Sequence, residues 1–184
     1  FYSSLNITSL YLDGEILNFT FFQINETLSI SFNITGLGVI FGLVASGLWI
    51  LASIYTIGYM RGNKEKNQTR FFTFYSIAIF AAICIAYSSN LLTLFIFYEV
   101  LTFSTYPLVA HKQNEEAKKA GRLYMGILVG TSIVFLLPAI IIVWVLTGSL
   151  DFAPNGVLKD NISNEYVPFL LALFAFGIGK AALM

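Results

Sequence analysis

Two ionisable residues stand in apolar stretches of this sequence, where a charge is costly. Glu99 is the only charged residue in residues 91–110, and Lys180 is the only one in residues 166–184. A charge at the centre of a membrane-spanning helix costs roughly 2.5–3.5 kcal/mol on insertion scales, so such residues persist where they pair or line a wet cavity. Because burial disfavours the charged form of both groups, a glutamate and a lysine brought together can exchange a proton. Each residue is therefore a candidate proton carrier, although Glu99 could instead be a protonated acid that fixes helix packing and Lys180 could extend to the membrane surface.

Polar residues continue along the helix predicted around Glu99. Thr102 and Tyr106 follow it by three and seven residues, which places all three on one helix face. Pro107 removes a backbone hydrogen bond and leaves a carbonyl free near the end of the span. His111, the single histidine, follows at that end. We expect it to be either an ordinary interfacial residue or a proton relay.

Helix-loosening residues occur near Lys180 and in the preceding apolar stretch. Gly177 and Gly179 come just before Lys180, and they predict a locally opened helix of the kind that forms ion sites in transporters. Pro138 predicts a kink in the fourth span. Thr131 can line a polar path, although such hydroxyls more often bond back to their own helix.

Other kinds of chemistry lack the residues they would need. The chain has one histidine and one cysteine, Cys84, which lies in an apolar run and is expected to pack as a small hydrophobic residue. It shows no nucleophile–base arrangement, metal-ligand spacing, phosphate loop or haem-type histidine pair. We therefore predict no metal and no cofactor. The net charge of zero gives no indication of nucleic-acid binding.

The elements that must position Glu99 and Lys180 are membrane spans. The chain is 57% hydrophobic and 11% charged, whereas soluble domains carry about 25% charged residues. A helix needs about 20 apolar residues to cross the hydrocarbon core. We predict an all-α polytopic membrane protein with about five transmembrane helices, at residues 36–60, 71–88, 91–110, 122–147 and 166–184.

The orientation of these spans follows from the distribution of charge. The loops at residues 61–70 and 111–122 together hold eight of the ten Lys and Arg residues, and two spans separate them. Both loops should therefore lie on the same side, which the positive-inside rule makes cytoplasmic. We expect an integral protein of a bacterial inner membrane.

The N-terminal residues show a different pattern. Leu28, Ile30 and Phe32 alternate with Ser29 and Ser31, the period of a half-buried strand. A similar alternation upstream predicts a β-hairpin over about residues 15–34, on the outer surface. We divide the chain into an outer-face segment, residues 1–35, and a partial proton-translocating membrane domain, residues 36–184. Both ends look cut, so we expect a piece of a longer protein.

Two motifs carry a resemblance to a known family. The run FYEVLTFSTYPLVAH, residues 97–111, resembles the glutamate-bearing helix of the antiporter-like subunits of respiratory complex I and Mrp-type cation/proton antiporters. The run FGIGKAALM, residues 176–184, resembles the start of that family's lysine-bearing broken helix. The sequence around Glu99 looks most like the MrpD type of antiporter subunit. The largest complex I subunit of this type carries an acid on the next helix, where Thr131 stands here.

The resemblance implies a proton-translocating subunit of a multisubunit Na⁺/H⁺ antiporter that relays protons through Glu99 and Lys180. Its partners would be neighbouring membrane subunits, the lipid bilayer, protons and Na⁺. Two alternatives stay open. One is a proton-pumping membrane subunit of NADH-quinone oxidoreductase (complex I) or a related membrane-bound hydrogenase, itself without redox chemistry. The other is a structural membrane subunit that transports nothing.

Overall fold

The computed structural model describes residues 1–154, 156–158 and 166–179. Lys180 and the residues after it lie outside this part of the chain. Seven α-helices, a two-stranded hairpin and one π-helical turn follow in the order α1 (Tyr2–Leu12), β1 (Asn18–Gln23), β2 (Ser29–Asn33), α2 (Gly36–Gly62), α3 (Gln68–Ala86), α4 (Leu91–Val109), α5 (Glu115–Thr131), the π turn (Ser132–Leu136), α6 (Leu137–Thr147) and α7 (Tyr166–Ile178).

Four helices are long and apolar enough to cross a membrane, and they confirm the first four predicted spans. They are α2, α3, α4 and the continuous helix formed by α5, the π turn and α6. Many of their apolar side chains are exposed on the outer surface, to an extent not seen in water-soluble proteins. Leu37 is 81% exposed and Val145 is 72% exposed. The fold is therefore that of an integral membrane protein. The fifth predicted span corresponds to α7, a shorter apolar helix within the described residues.

The fourth span begins earlier than its apolar run. The sequence predicts a start at residue 122, but α5 starts at Glu115. Asn114 caps it by accepting a hydrogen bond from the Ala117 backbone N–H at 2.8 Å. Glu115 and Glu116 occupy the first turn, where negative charge is stabilised by the helix dipole. The polar first turns of this helix thus extend beyond the apolar span.

The predicted hairpin is confirmed, and its two strands pair antiparallel with Asn18 opposite Asn33. A bulge between Thr20 and Phe22 leaves Phe21 as an extra residue in the first strand. The turn is closed by Asn25, whose side-chain oxygen accepts hydrogen bonds from the backbone N–H groups of Thr27 and Leu28 at 2.9 and 2.7 Å. Helix α1, which packs against α2, was not predicted from the sequence.

Backbone hydrogen bonds join the hairpin to the segment between α3 and α4, and join that segment to the residues after α6. The Asn33 N–H donates to the Tyr87 carbonyl at 2.8 Å, just after α3. The Leu91 N–H, at the start of α4, donates to the Leu150 carbonyl at 3.0 Å, shortly after α6. Phe152 donates in turn to Ser89 at 3.0 Å. We call this part of the molecule the hairpin end, and the opposite part, formed by residues 61–70 and 111–114, the basic end.

The core lies between α4, the π turn, α6 and α7. Its buried side chains are all apolar; they are those of Leu91, Leu136, Ile140, Val143, Leu150 and Leu170. The π turn precedes Pro138, which has no N–H to donate and whose ring would collide with the carbonyl one turn earlier in a regular α-helix. The irregularity that Pro138 predicts is thus present as a π turn within a continuous span.

Candidate functional site

Glu99 lies near the middle of α4, eight residues after Leu91 and ten before Val109. Its side chain is half-buried. It is the only acidic residue in α4, and it makes contacts within the protein. An ionisable residue in the middle of a span is costly unless it is paired or lines a wet cavity.

Tyr98, the residue before Glu99, links α4 to α7. Its hydroxyl group donates a hydrogen bond to the backbone carbonyl of Ile178 at 2.7 Å. Ile178 is the last residue of α7, and Lys180 follows two residues later in the sequence. The structure therefore brings the end of α7 beside the centre of the glutamate helix. The position of the Lys180 side chain lies outside the described residues, so the Glu99–Lys180 pair stays a prediction.

The polar residues after Glu99 mostly bond to their own helix. Thr102 is buried, and its hydroxyl donates to the Tyr98 carbonyl at 2.9 Å. Ser104 is also buried and donates to the Leu101 carbonyl at 2.8 Å. Bonds of this kind satisfy hydroxyl groups in hydrocarbon and bend helices slightly. Both hydroxyl groups lie between Glu99 and the basic end along α4.

Tyr106 and Pro107 occupy the last turns of α4. The Tyr106 ring lies against Gly121 of α5, where a Cβ atom would come within 3.1 Å of the ring. Pro107 lies inside α4, which continues to Val109. The glycine therefore allows the ring to lie between two spans. The role of Tyr106 and Pro107 in a proton path stays a prediction.

His111 lies at the junction of the two basic loops. The Arg70 guanidinium donates to the His111 backbone carbonyl at 2.9 Å, and Glu65 Oε2 lies 4.0 Å from His111 Nε2. The Phe71 ring contacts the imidazole edge-on, with centroids 5.4 Å apart. The structure thus places both basic loops at one end of the molecule. A polar cavity of about 540 Å³ opens there, lined by residues 63–67 and 111–114.

The remaining predicted residues lie beside the π turn or at the end of α7. The Thr131 hydroxyl donates to the carbonyls of Ile127 and Leu128. Gly177 is buried within α7, where a Cβ atom would lie 2.7 Å from the Leu136 backbone nitrogen. Gly179 lies just beyond the end of α7. These facts show close packing of α7 on the π turn, and whether the helix opens at Lys180 stays a prediction.

Two residues that matter to the site were missed from the sequence. Tyr98 could have been noticed because a tyrosine hydroxyl in an apolar helix needs a partner. Asn90 is 2% exposed and joins the cap of α4 to the hairpin. Its Oδ1 accepts from the Thr93 N–H at 2.7 Å, and its Nδ2 donates to the Ser29 carbonyl at 2.9 Å. Within the described residues, no three His, Cys, Asp or Glu side chains come together as metal ligands.

The fold and the site define a polytopic membrane protein with an ionisable residue in the middle of a span. The family model described as NADH:quinone oxidoreductase/Mrp antiporter, TM, matches residues 88–184, which is more than half of the chain. A second model, described as the N-terminus of NADH-ubiquinone oxidoreductase (complex I) chain 5, matches residues 21–72. The chain therefore belongs to the NADH:quinone oxidoreductase/Mrp antiporter membrane subunit family.

Relatives of this chain include subunits of two kinds of complex. A protein of Staphylococcus haemolyticus named as the antiporter subunit mnhA2 is 23% identical over 84% of this chain and 20% of its own length. Hydrogenase-4 component B of Escherichia coli is 28% identical over 86% of this chain and 23% of its own length. The chain thus spans about a fifth to a quarter of these curated relatives. The particular likeness to the MrpD type stays a prediction.

A solved structure has the same fold. It is that of the membrane-bound sulfane sulfur reductase (MBS), an archaeal respiratory membrane complex, in which one chain superimposes with a TM-score of 0.74. The match covers 97% of this chain and 28% of the other, with 19% sequence identity. At that identity the likeness concerns the fold alone, and it agrees with the family assignment.

Proposed function

We propose that this chain is part of a proton-translocating subunit of a multisubunit Na⁺/H⁺ antiporter, in which Glu99 and Lys180 relay protons. One observation carries the proposal. Glu99 lies in the middle of a membrane-spanning helix, and the adjacent Tyr98 contacts the end of α7, two residues before Lys180. This contact brings the described end of α7 beside the glutamate helix, and it supports the proposed pairing of Glu99 with Lys180.

The relay follows from the electrostatics of such a pair in a medium of low dielectric constant. While the ammonium group lies near Glu99, the carboxylate form is favoured because the opposite charges attract. When the ammonium group moves away or loses its proton, the isolated carboxylate becomes costly and takes up a proton. Alternating between the two arrangements passes a proton through the centre of the span. The buried hydroxyl groups beyond Glu99 supply polar atoms on the side of the basic end.

The second candidate is a proton-translocating subunit of complex I or of a membrane-bound hydrogenase. The relative named hydrogenase-4 component B, at 28% identity, favours it. The local chemistry of Glu99 would be the same, and the driving partner would be an electron-transfer reaction in other subunits. Transport driven by a Na⁺ gradient in vesicles without an electron donor distinguishes the antiporter from this alternative.

The relay can be tested with charge-removing variants of the full-length protein in its assembled complex. Proton movement in inverted membrane vesicles is followed with a pH-sensitive dye after Na⁺ addition. Glu99→Gln and Lys180→Ala should each abolish the signal without reducing the amount of assembled complex. Glu116→Gln makes the same chemical change at an exposed position in the first turn of α5, and it should leave transport unchanged. Full transport by the Glu99 and Lys180 variants would establish a structural subunit instead.

We also propose that the basic end faces the cytoplasm of a bacterium. The charge distribution supports this orientation, and the contact of Arg70 with His111 holds both basic loops together. In a background lacking Cys84, a Lys66→Cys variant should react with a membrane-impermeant maleimide in inverted vesicles only. An Asn25→Cys variant, at the exposed hairpin turn, should react only from the opposite side. Labelling in the reverse pattern would overturn the orientation.

A further inference from the structure

An open groove of about 500 Å³ lies on the surface between α4 and α5. Phe103 and Tyr106 line it from α4, and residues between positions 122 and 133 line it from α5 and the π turn. Its walls are almost wholly apolar. Phe103 and Ile133 are each more than half exposed, so the described part of the chain leaves this face of the two spans uncovered.

The groove begins where α4 and α5 cease to touch. At Gly121 the two helices are in close contact, since an added Cβ atom would lie 3.1 Å from the Tyr106 ring. Further along α5, a Cβ atom added at Gly126 or Gly130 would meet no atom of the described residues within 4 Å. The space above these two glycines is therefore a channel that begins beside the contact at Gly121.

A single cation lies at one end of this channel. Arg122 is the only charged residue in the groove lining, and no charged residue follows it before position 148. Its side chain is exposed, and its Nε donates to the Lys118 carbonyl of the same helix at 3.4 Å. Among the described residues, no carboxylate forms an ion pair with it. The guanidinium group thus lies where the apolar span begins, and it is available to an anion.

The length of the channel indicates how far a ligand would extend into the membrane. From Arg122 to Ile133 the helix rises by about 16 Å, at 1.5 Å per residue. This is about half of the ~30 Å thickness of the hydrocarbon core. The positive charge therefore lies at the headgroup level, and the apolar channel beyond it is about as deep as one leaflet. An anion that carries an acyl chain matches both parts.

We propose that this groove binds an anionic glycerophospholipid. The phosphate lies at Arg122, whose planar guanidinium suits phosphate oxygens, and one acyl chain lies over Gly126 and Gly130 beside Phe103. The charge at the end of the groove favours this occupant over an apolar helix of another subunit, which would supply no anion to Arg122. The site does not depend on the proposed proton relay.

The test compares two photoactivatable lipids on the full-length protein in its complex, reconstituted into vesicles. Phosphatidylglycerol and phosphatidylcholine carry the same diazirine-bearing acyl chain, and mass spectrometry locates the labelled residues. Phosphatidylglycerol should label residues 122–133 more than phosphatidylcholine does. Arg122→Gln should lower phosphatidylglycerol labelling there about fivefold, the effect of one basic residue beside an anionic lipid, and leave phosphatidylcholine labelling unchanged. Arg61→Gln, the same change at an exposed position near the end of α2, should alter neither.

Two further variants separate the parts of the site. Arg122→Lys keeps the charge and should retain most of the preference for phosphatidylglycerol. Gly126→Leu fills the channel and should reduce labelling by both lipids, with the amount of assembled complex unchanged. Equal labelling by the two lipids, unaffected by Arg122→Gln, would overturn the proposal by showing ordinary contact with the bilayer. Absence of labelling by both lipids would overturn it by showing that protein covers the groove.

Discussion

Replacing Gly177 by alanine would place a methyl group where the backbone of the π turn already lies. The added Cβ would be 2.7 Å from the Leu136 nitrogen and Cβ and 2.8 Å from its Cα. Ordinary carbon contacts are about 3.5–4.0 Å long. Because the obstructing atoms include backbone, no rotamer change can relieve the overlap, and α7 must move away from the π turn by about 1 Å.

Two opposing effects determine how much Gly177→Ala lowers the free energy of unfolding. Inserting a methyl group into a packed interior destabilises by about 1–3 kcal/mol, and a rigid neighbour puts this site in the upper part of that range. Alanine is favoured over glycine in a helix by about 1 kcal/mol, which offsets part of the loss. We expect a net destabilisation of about 1–2 kcal/mol. Gly126→Ala is the matched control, since no atom of the described residues lies within 4 Å of its added Cβ, and it should be neutral or slightly stabilising.

The assay is denaturation of the purified full-length protein in detergent, comparing both glycine variants with the unmodified protein. Because moving α7 alters the contact between Tyr98 and Ile178, the proposed relay predicts that Gly177→Ala also lowers proton transport. Equal stability of the Gly177 and Gly126 variants would refute the reasoning. It would mean that α7 does not pack on the π turn as closely as the 2.7 Å distance requires.

Two further predictions concern the ends of the molecule. Asn90→Ala removes both the cap of α4 and the bond to Ser29, so it should lower the free energy of unfolding by about 2–3 kcal/mol. Asn114→Ala removes a cap alone, and it should lower this free energy by about 1 kcal/mol in the same denaturation assay. Equal losses would contradict the role of Asn90 in holding the hairpin. Arg70→Gln removes the hydrogen bond to the His111 carbonyl, so amide hydrogen exchange over residues 111–114 should become faster. Arg61→Gln, at an exposed position, should leave the exchange rate unchanged. Unchanged exchange in both variants would show that the bond does not order the basic end.

The spans and the hairpin could be predicted because each is a local property of the sequence. An uncharged run of about 20 residues specifies a membrane helix wherever it packs, and period-two alternation specifies a half-buried strand. Helix α1 has no comparable signal, since its eleven residues mix polar and apolar side chains without a clear face. It depends on packing against α2. The polar start of α5 was missed because the span was predicted from its apolar run, and the capping residue lies before that run.

In the candidate site, too, only the features with a local signal in the sequence could be predicted. Glu99 stands out by residue type alone, because a charge in a span needs an explanation. The bond from Tyr98 to Ile178 joins residues 80 positions apart, and no local pattern contains that information. Pro138 indicated an irregular helix, but no local pattern specified that the irregularity takes the form of a π turn at Ser132–Leu136.

The backbone bond between Leu91 and Leu150 fixes the start of α4 at the hairpin end, and the bond between Arg70 and His111 ties the residues after its far end to α3. With a rise of 1.5 Å per residue, Glu99 lies about 12 Å from Leu91 and Val109 lies about 27 Å from it. By this geometry, a tilt of α4 of about 5° about Leu91 would displace the backbone of Glu99 by about 1 Å and that of Val109 by about 2.4 Å. Glu99 therefore lies where a given tilt of the helix produces less than half of the displacement that it produces at Val109.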